Sequence, residues 1–348
     1  MANDGDDRGL SIAVTGPTGS IGRAFIRALE HEAGVDRVIG MARSPFDPSE
    51  LGWSKTEYRQ GDILDETAVK GLVDGCDVLV HLAFMIMGST DETERINLEG
   101  SRNVFKAALG TVDRLVYTSS VAAYGFHDEN PNVLTEDIPA RGSDEHYYSA
   151  QKARLEDELE GLARGSSTDV YVFRPCVVAG PTALDLVTDI PYVQLGEKLP
   201  GPVKKLVGTI PLLRPVIPDP GTPLQLVHED DVASALVAAV LGKGTPGAYN
   251  LAGDGEIYLS DVAHALGWYA IPLPELAVDA TAKIVSRMPM MPTSASWVHA
   301  IRVPMLMDCN KARTELDWRP RYDTVETLAE TINAARDQGI IPWPGGHA

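Results

Sequence analysis

A glycine-rich turn lies between an apolar run and a helical pattern near the start of this chain. The run Ser11–Thr15 predicts a strand, Thr15–Gly22 places glycines at every third position, and apolar residues across Ile21–Leu29 recur at helical spacing. Glycines let the backbone approach a pyrophosphate closely, and the positive end of the following helix stabilises the phosphate charge. A strand, glycine turn and helix in this order predict a dinucleotide-binding site.

Strand-like and helix-like segments continue to alternate through the first half of the chain. The later strand-like segments are Arg37–Ala42, Glu57–Gln60, Val78–Leu82, Leu115–Thr118 and Val170–Phe173. Helical patterns cover Asn97–Leu109 and Ser149–Leu162. Such alternation predicts an α/β fold with a Rossmann-like, doubly wound parallel sheet that helices cover on both faces.

The texture of the sequence changes after Gly180, where Pro, Gly and Leu become frequent and periodicity weakens. We therefore expect a dinucleotide-binding Rossmann domain over residues 10–180, to which residues 225–252 return. Residues 181–224 and 253–340 are expected to form a smaller, mixed C-terminal substrate lobe. The polar, acidic residues 1–9 are expected to form a disordered tail without the pattern of a signal peptide.

Charge and cysteine usage exclude several classes of function. The chain has 30 Lys and Arg against 49 Asp and Glu, a formal net charge of −19. This excess disfavours nucleic acid and anionic membranes, which need basic surfaces. Its three cysteines are far apart and form no CxxC motif, so no metal site is predicted. No apolar run is long enough to span a bilayer, and we expect a cytoplasmic protein.

Further motifs follow the glycine turn in a fixed order. They are Asp62-Ile63, His81-Leu82-Ala83, Asn97 with Gly100, Thr118–Gly125, Tyr148–Lys152, Arg174-Pro175, Gly180-Pro181, Val227-His228, Asp230–Ala233 and Trp318–Pro320. Together with the turn they resemble the extended short-chain dehydrogenase/reductase family, which includes NAD-dependent epimerases and dehydratases. The resemblance covers nearly the whole chain.

The resemblance implies a catalytic group of Ser120, Tyr148 and Lys152. Tyr148 would be the general acid and base, because hydride transfer at carbon requires proton transfer at the attached oxygen. Lys152 lies one helical turn later, so its ammonium is expected to lower the pKa of Tyr148. Ser120 would hydrogen-bond the substrate oxygen. Tyr147 is expected to pack, and His228 is expected to make structural hydrogen bonds.

The turn and the resemblance together imply a set of cofactor-binding residues. They are Gly16, Thr18, Gly19, Ser20, Ile21, Gly22, Arg43, Asp62, Ile63, Leu82, Ala83, Phe84, Asn97, Thr118, Tyr148, Lys152, Pro175 and Val178. For Asn97, contact with the cofactor and bracing of its helix both remain open. Arg43 follows the second strand where NAD-specific proteins carry an acidic residue, which favours NADP and leaves NAD possible.

The expected substrate contacts depart from those of nucleotide-sugar enzymes. In those members an Asn follows Arg-Pro-x, and an Arg precedes the Val-His motif and pairs with the diphosphate. Here Val177 and Gln225 occupy these positions, and Ala179 replaces a Tyr. The segments expected to face the substrate are apolar: Phe84–Met87, Leu212-Leu213 and Met288–Pro292. Packing of these residues within the lobe or a subunit contact remains open.

Three functions are therefore compared. The first is an NAD(P)-dependent oxidoreductase that transfers a hydride between nicotinamide and a carbonyl or alcohol of a fairly apolar small molecule. The second is a nucleotide-sugar 4-epimerase with bound NAD, acting on a UDP-sugar. The third is a non-catalytic NAD(P)-binding sensor, which the intact catalytic group disfavours. By resemblance alone, a homodimer is expected through the helices that carry Asn97 and Tyr148.

Overall fold

The computed structural model describes residues 8–86, 88–190, 192–194, 215–273 and 303–342. Its strands are β1 (Leu10–Thr15), β2 (Val35–Ala42), β3 (Thr56–Gln60), β4 (Val78–His81), β5 (Arg114–Thr118), β6 (Val133–Leu134), β7 (Asp169–Pro175), β8 (Val177–Ala179), β9 (Val216–Asp219), β10 (Leu226–His228), β11 (Gly247–Leu251), β12 (Tyr269–Pro272) and β13 (Leu306–Met307). The α-helices are α1 (Ser20–Glu30), α2 (Glu66–Val73), α3 (Thr90–Glu94), α4 (Ser101–Ala108), α5 (Tyr147–Ala163), α6 (Asp185–Thr188), α7 (Glu229–Val240), α8 (Leu259–Leu266), α9 (Asn310–Glu315) and α10 (Thr324–Asp337). Short 3₁₀ helices lie at Pro48–Leu51 and Val121–Tyr124, and a π-helix lies at Arg95–Gly100.

The main sheet has seven described strands in the order β11-β7-β5-β4-β1-β2-β3, and every pairing is parallel. The chain begins inside the sheet with β1, adds β2 and β3 on one side, and then crosses to β4, the central strand, on the other. This reversal places a crevice at the carboxyl ends of β1 and β4, where open α/β sheets bind ligands. The predicted Rossmann-like fold is confirmed.

Alternate residues of β1 belong to two different apolar layers. Ile12 and Val14 join a core that includes α1 and α7. Ala13, on the opposite face, joins a second core with Phe105 of α4 and Leu155 of α5. Because both faces of the sheet are covered, its central strands are continuous apolar runs rather than alternating ones.

A third apolar layer lies beside the sheet and includes side chains from β8, β10, α8 and α10. The pair β9–β12 packs against α8 here. This layer combines segments from both predicted domains, with β8 and β10 from the predicted Rossmann domain and α8 and α10 from the predicted smaller lobe. Residues 195–214 and 274–302 lie outside the described residues, and so do Met87, Leu212-Leu213 and Met288–Pro292.

One predicted element has a different form in the structure. The helical pattern Asn97–Leu109 is a π-helix over Arg95–Gly100 that continues into α4. A π-turn contains one residue more than an α-turn, which apolar spacing over this length does not reveal. Within the described residues, no helix has the length and apolarity needed to cross a membrane.

Candidate active site

The glycine turn joins β1 to α1 and packs tightly on its inner side. Gly16 has φ +73°, and a Cβ there would lie 2.8 Å from the backbone nitrogen of Ala83. A Cβ on Gly22 would collide with the Gly16 carbonyl. At Gly19 the nearest atom to an added Cβ is 3.8 Å away. Two glycines therefore allow close packing, and the third keeps the outer side of the turn open.

A cavity of about 290 Å³ lies against that open side, at the carboxyl ends of β1 to β4. The predicted cofactor residues that line it are Gly16, Thr18, Gly19, Arg43, Asp62, Ile63, Leu82, Ala83 and Phe84. Arg43 is exposed, and the Tyr58 hydroxyl fixes the strand end before it by donating to the Ala42 carbonyl at 2.8 Å. Most of the residues that line this cavity were therefore among the predicted cofactor-binding residues.

The other predicted cofactor residues lie outside the lining of this cavity. Ser20, Ile21 and Gly22 form the first turn of α1. Beyond the glycine turn, the remaining ones are Asn97 in the π-helix, Thr118 at the end of β5, Tyr148 and Lys152 on α5, Pro175 at the end of β7, and Val178 on β8.

The structure brings Ser120, Tyr148 and Lys152 together. Ser120 directly follows β5 and caps the 3₁₀ helix Val121–Tyr124, accepting a hydrogen bond from the Ala122 amide at 3.2 Å. Its hydroxyl also hydrogen-bonds the Tyr148 hydroxyl. Tyr148 and Lys152 share one face of α5, with the Lys152 Nζ 5.9 Å from the Tyr148 ring centroid.

The expected lowering of the Tyr148 pKa is wrong for this arrangement. Burial raises the pKa of Tyr148 above its ordinary value, and the hydrogen bond from Ser120 opposes the rise. Lys152 directs its Nζ to the Thr118 carbonyl at 2.9 Å rather than to the Tyr148 hydroxyl. The phenol is therefore protonated at neutral pH, the form that donates a proton.

Lys152 is 3% exposed and lies among neutral partners. Besides the Thr118 carbonyl, its Nζ contacts the Tyr117 hydroxyl at 3.5 Å and lies 3.8 Å from the Phe84 ring centroid. Burial lowers the pKa of Lys152 to about 7, and the charge of Glu156 opposes this shift. The side chain can therefore gain or lose a proton near neutrality.

The loop after β4 is attached to α5 by side chains whose role the sequence did not reveal. Tyr147 does more than pack, because its hydroxyl donates to the Ile86 carbonyl. Asn97 accepts from the Met85 amide at 2.8 Å and donates to the Met85 carbonyl at 2.9 Å and to Gln151 at 2.8 Å. Asn97 is fully buried, and these contacts are those of the brace, one of its two expected roles.

His81 is a second buried polar residue beneath the site. Its Nδ1 shares a hydrogen bond of 2.6 Å with Thr15, and its Nε2 shares one of 2.8 Å with Ser101. Burial, reinforced by the Lys152 charge, lowers the pKa of His81 to about 3. The neutral imidazole joins β1, β4 and α4. In the sequence, only the motif His81-Leu82-Ala83 drew attention to this histidine.

The positions at which nucleotide-sugar enzymes carry substrate ligands are uncharged in this chain. Val177 and Ala179 lie on β8, and the Gln225 side chain accepts a hydrogen bond from the Met307 amide at 2.8 Å. Burial holds the pKa of the Cys176 thiol well above its ordinary value, which favours the thiol over the nucleophilic thiolate. His228 caps α7 by accepting from the Asp230 amide at 3.1 Å, as predicted for a structural residue.

Comparisons with known proteins agree with these features. A family model described as the NAD dependent epimerase/dehydratase family matches residues 12–252. A ceramide reductase from Caulobacter vibrioides is 25% identical over 362 residues, covering 97% of this chain and 98% of that protein. A 2-alkyl-3-oxoalkanoate reductase from Shewanella oneidensis is 32% identical over 208 residues, covering 57% of this chain and 52% of that protein. UDP-glucuronic acid 4-epimerase from Bacillus cereus, solved with NAD, has a similar fold, with a TM-score of 0.70 at 18% identity over 94% of this chain and 99% of that chain.

Proposed function

Because this chain belongs to the NAD dependent epimerase/dehydratase family of extended short-chain dehydrogenases/reductases, we propose that it is an NAD(P)-dependent carbonyl reductase or alcohol dehydrogenase. The proposed substrate is a fairly apolar small molecule. The proposed catalytic residues are Ser120, Tyr148 and Lys152. The observation that carries the proposal is the hydrogen bond between Ser120 and Tyr148 beside the buried Lys152 ammonium.

In this proposal Tyr148 gives a proton to the carbonyl oxygen during reduction and takes it back during oxidation. Ser120 hydrogen-bonds the same oxygen and holds it within reach of the phenol. The Ser120 hydroxyl also stabilises the phenolate that remains after proton donation, and the Lys152 ammonium, on the same helix face as Tyr148, is proposed to hold the nicotinamide ribose. When bound, the nicotinamide cofactor supplies or accepts the hydride.

The glycine turn fits a dinucleotide. Gly19 leaves open space where a Cβ would enter the cavity, and the first turn of α1 offers backbone amides to a pyrophosphate. Asp62 and Ile63 would flank the adenine. Arg43 supports NADP over NAD, because it follows β2 at the cavity edge and could pair with a 2′-phosphate.

The substrate class is supported by what is missing and by two relatives. Val177 and Gln225 stand where nucleotide-sugar enzymes carry diphosphate ligands, and the Gln225 oxygen is already bound to Met307. The two relatives described as reductases are named for ceramide and for 2-alkyl-3-oxoalkanoates, both of which contain alkyl chains. We therefore propose a ketone or secondary alcohol that carries an alkyl chain.

A cytoplasmic homodimer is the proposed working form. The proposal rests on the family resemblance, in which the helices carrying Asn97 and Tyr148 pack against their counterparts in a second subunit. Sedimentation of the purified protein would test it, and a single species with the mass of one chain would refute it.

Activity of the Tyr148→Phe variant tests the catalytic assignment. Reduction of a series of 3-oxoalkyl compounds is followed by the absorbance of NADPH and NADH. The control is Tyr171→Phe, which also removes a tyrosine hydroxyl, but one that donates to the Gly244 carbonyl and not to a proposed catalytic residue. Loss of the general acid is expected to lower kcat by about 10²- to 10⁴-fold, with NADPH binding retained.

Unchanged turnover in Tyr148→Phe would refute the catalytic role. Conversion of a UDP-sugar without reduction of any ketone would favour the epimerase instead.

A further inference from the structure

Phe84 stands between the cavity and the proposed catalytic pair. It lines the cavity, whereas neither Tyr148 nor Lys152 does. The face of its ring covers Lys152, whose Nζ lies 3.8 Å from the ring centroid. The same ring meets Tyr148 edge to face, with centroids 5.4 Å apart and planes at 84°. A dinucleotide that starts at the glycine turn therefore meets Phe84 before it meets Tyr148.

The backbone on both sides of Phe84 is fixed. Ala83 packs against Gly16 and directs its amide to the Thr15 hydroxyl at 3.4 Å. On the other side, both backbone groups of Met85 are bound by the Asn97 side chain. With its neighbours held, Phe84 can move by rotation of its side chain and not by displacement of the loop.

The ring acts on the Lys152 ammonium as a weak, nonpolar partner. A cation over an aromatic face is attracted by the ring, and the attraction strengthens when water is excluded. Lys152 keeps its bond to the Thr118 carbonyl whichever way the ring points, because that acceptor lies on β5. A ligand hydroxyl that approaches Lys152 therefore competes with Phe84 and not with Thr118.

We propose that Phe84 is a positioning residue that holds Lys152 and Tyr148 from the cavity side and turns aside when the nicotinamide half of a dinucleotide reaches them. The adenosine half binds in the existing cavity without this movement. The inference rests on the proposed function, because it requires a dinucleotide that extends from the glycine turn to Tyr148.

Binding of whole and partial cofactors to three proteins tests the proposal. Titration calorimetry measures NADPH and NADH, and beside them adenosine 2′,5′-bisphosphate and ADP, which lack the nicotinamide ribose. The proteins are the wild type, Phe84→Leu, which removes the ring, and Phe84→Tyr, which keeps it. We expect Phe84→Leu to bind the preferred whole dinucleotide about tenfold more tightly, with the partial ligand unchanged. Phe84→Tyr should bind both as the wild type does.

An unchanged ratio of whole to partial affinity in Phe84→Leu would overturn the role of Phe84 and leave the proposed function standing. The role of Phe84 would also be overturned if Phe84→Tyr changed that ratio as much as Phe84→Leu does. The change would then not depend on loss of the aromatic ring. Failure of the wild type to bind any dinucleotide would instead refute the proposed function. Thermal melting identifies a misfolded Leu variant, and Phe84→Met then replaces it.

Discussion

Lys152 is a buried lysine, and removing its ammonium from water costs free energy of folding. Burial lowers the pKa of Lys152 from 10.5 to about 7. Between these values the unfolded chain binds more protons than the folded one, so the free energy of unfolding rises with pH. Below about pH 7 the folded protein carries the full cost of burying the ammonium.

The Lys152→Met variant is expected to unfold less easily than the wild type at pH 6 to 7, by about 1 to 3 kcal/mol. The substitution removes the desolvation of the charge but also leaves the Thr118 carbonyl without its donor, which limits the gain. Denaturant titrations from pH 6 to 9 measure the effect. The rise of unfolding free energy with pH should be flatter in the variant, and equal slopes would contradict the assignment.

Arg43 provides a separate prediction about cofactor choice. If its guanidinium pairs with a 2′-phosphate, Arg43→Ala should weaken NADPH binding about 10- to 100-fold, as expected for loss of charge-assisted hydrogen bonds. NADH binding should change little. Fluorescence titration of both cofactors measures the ratio, with Arg59→Ala as a control whose guanidinium donates to the Gly71 carbonyl. Equal losses for both cofactors would argue against a 2′-phosphate site at Arg43.

At the scale of elements, two glycines of the same turn are expected to have different roles, Gly22 in stability and Gly19 in cofactor binding. Gly22→Ala forces a Cβ against the Gly16 carbonyl, whereas Gly19→Ala places one in open space beside the cavity. Gly22→Ala should therefore lower the melting temperature of the ligand-free protein by several degrees, as a destabilisation of about 1 to 3 kcal/mol would.

Gly19→Ala should instead melt within about 1 degree of the wild type and bind NADPH more weakly. Differential scanning fluorimetry and fluorescence titration measure the two quantities on the same samples. Equal melting temperatures for the two variants would show that α1 does not depend on this close packing.

Sequence patterns located elements better than they located the contacts between them. Six of the seven described strands of the main sheet were predicted within one or two residues, and β11 was not predicted. The central strands were easiest to locate, because a strand buried on both faces is a continuous apolar run. The brace formed by Asn97, Gln151 and Tyr147 depends on side chains from separate elements that meet only in the folded chain. The same is true of Phe84, whose ring was expected to line a cofactor and also covers Lys152. Spacing along one helix could not reveal either arrangement.

At the scale of the whole molecule, a buried ion pair joins three distant segments. Arg174 at the end of β7 donates to Glu156 on α5 through Nε at 3.1 Å and Nη2 at 2.5 Å, and both side chains are under 10% exposed. The Arg174 guanidinium also lies 4.5 Å from the Tyr124 ring, next to the loop that carries Ser120. The pair thereby ties together the elements that carry the proposed catalytic residues.

Glu156→Gln should destabilise the protein by about 3 to 5 kcal/mol, because it leaves Arg174 buried without a counter-charge. The double variant with Arg174→Met should lose less than the two single losses added together. Chemical denaturation of all four proteins measures this coupling. Glu57→Gln breaks an exposed pair with Arg37 and should cost under about 1 kcal/mol. Strict additivity at Glu156 and Arg174 would contradict the coupling.

The strand order also has a consequence during synthesis. Six strands of the main sheet are complete once residue 175 has been made, but β11, which covers the edge of β7, ends only at residue 251. Until then the ribosome-bound chain presents an unpaired strand edge, and α7, which packs against β5 and β7, is itself complete only at residue 240. Such edges template association between nascent chains. The interval between these two strands is therefore where we expect this protein to need a chaperone most.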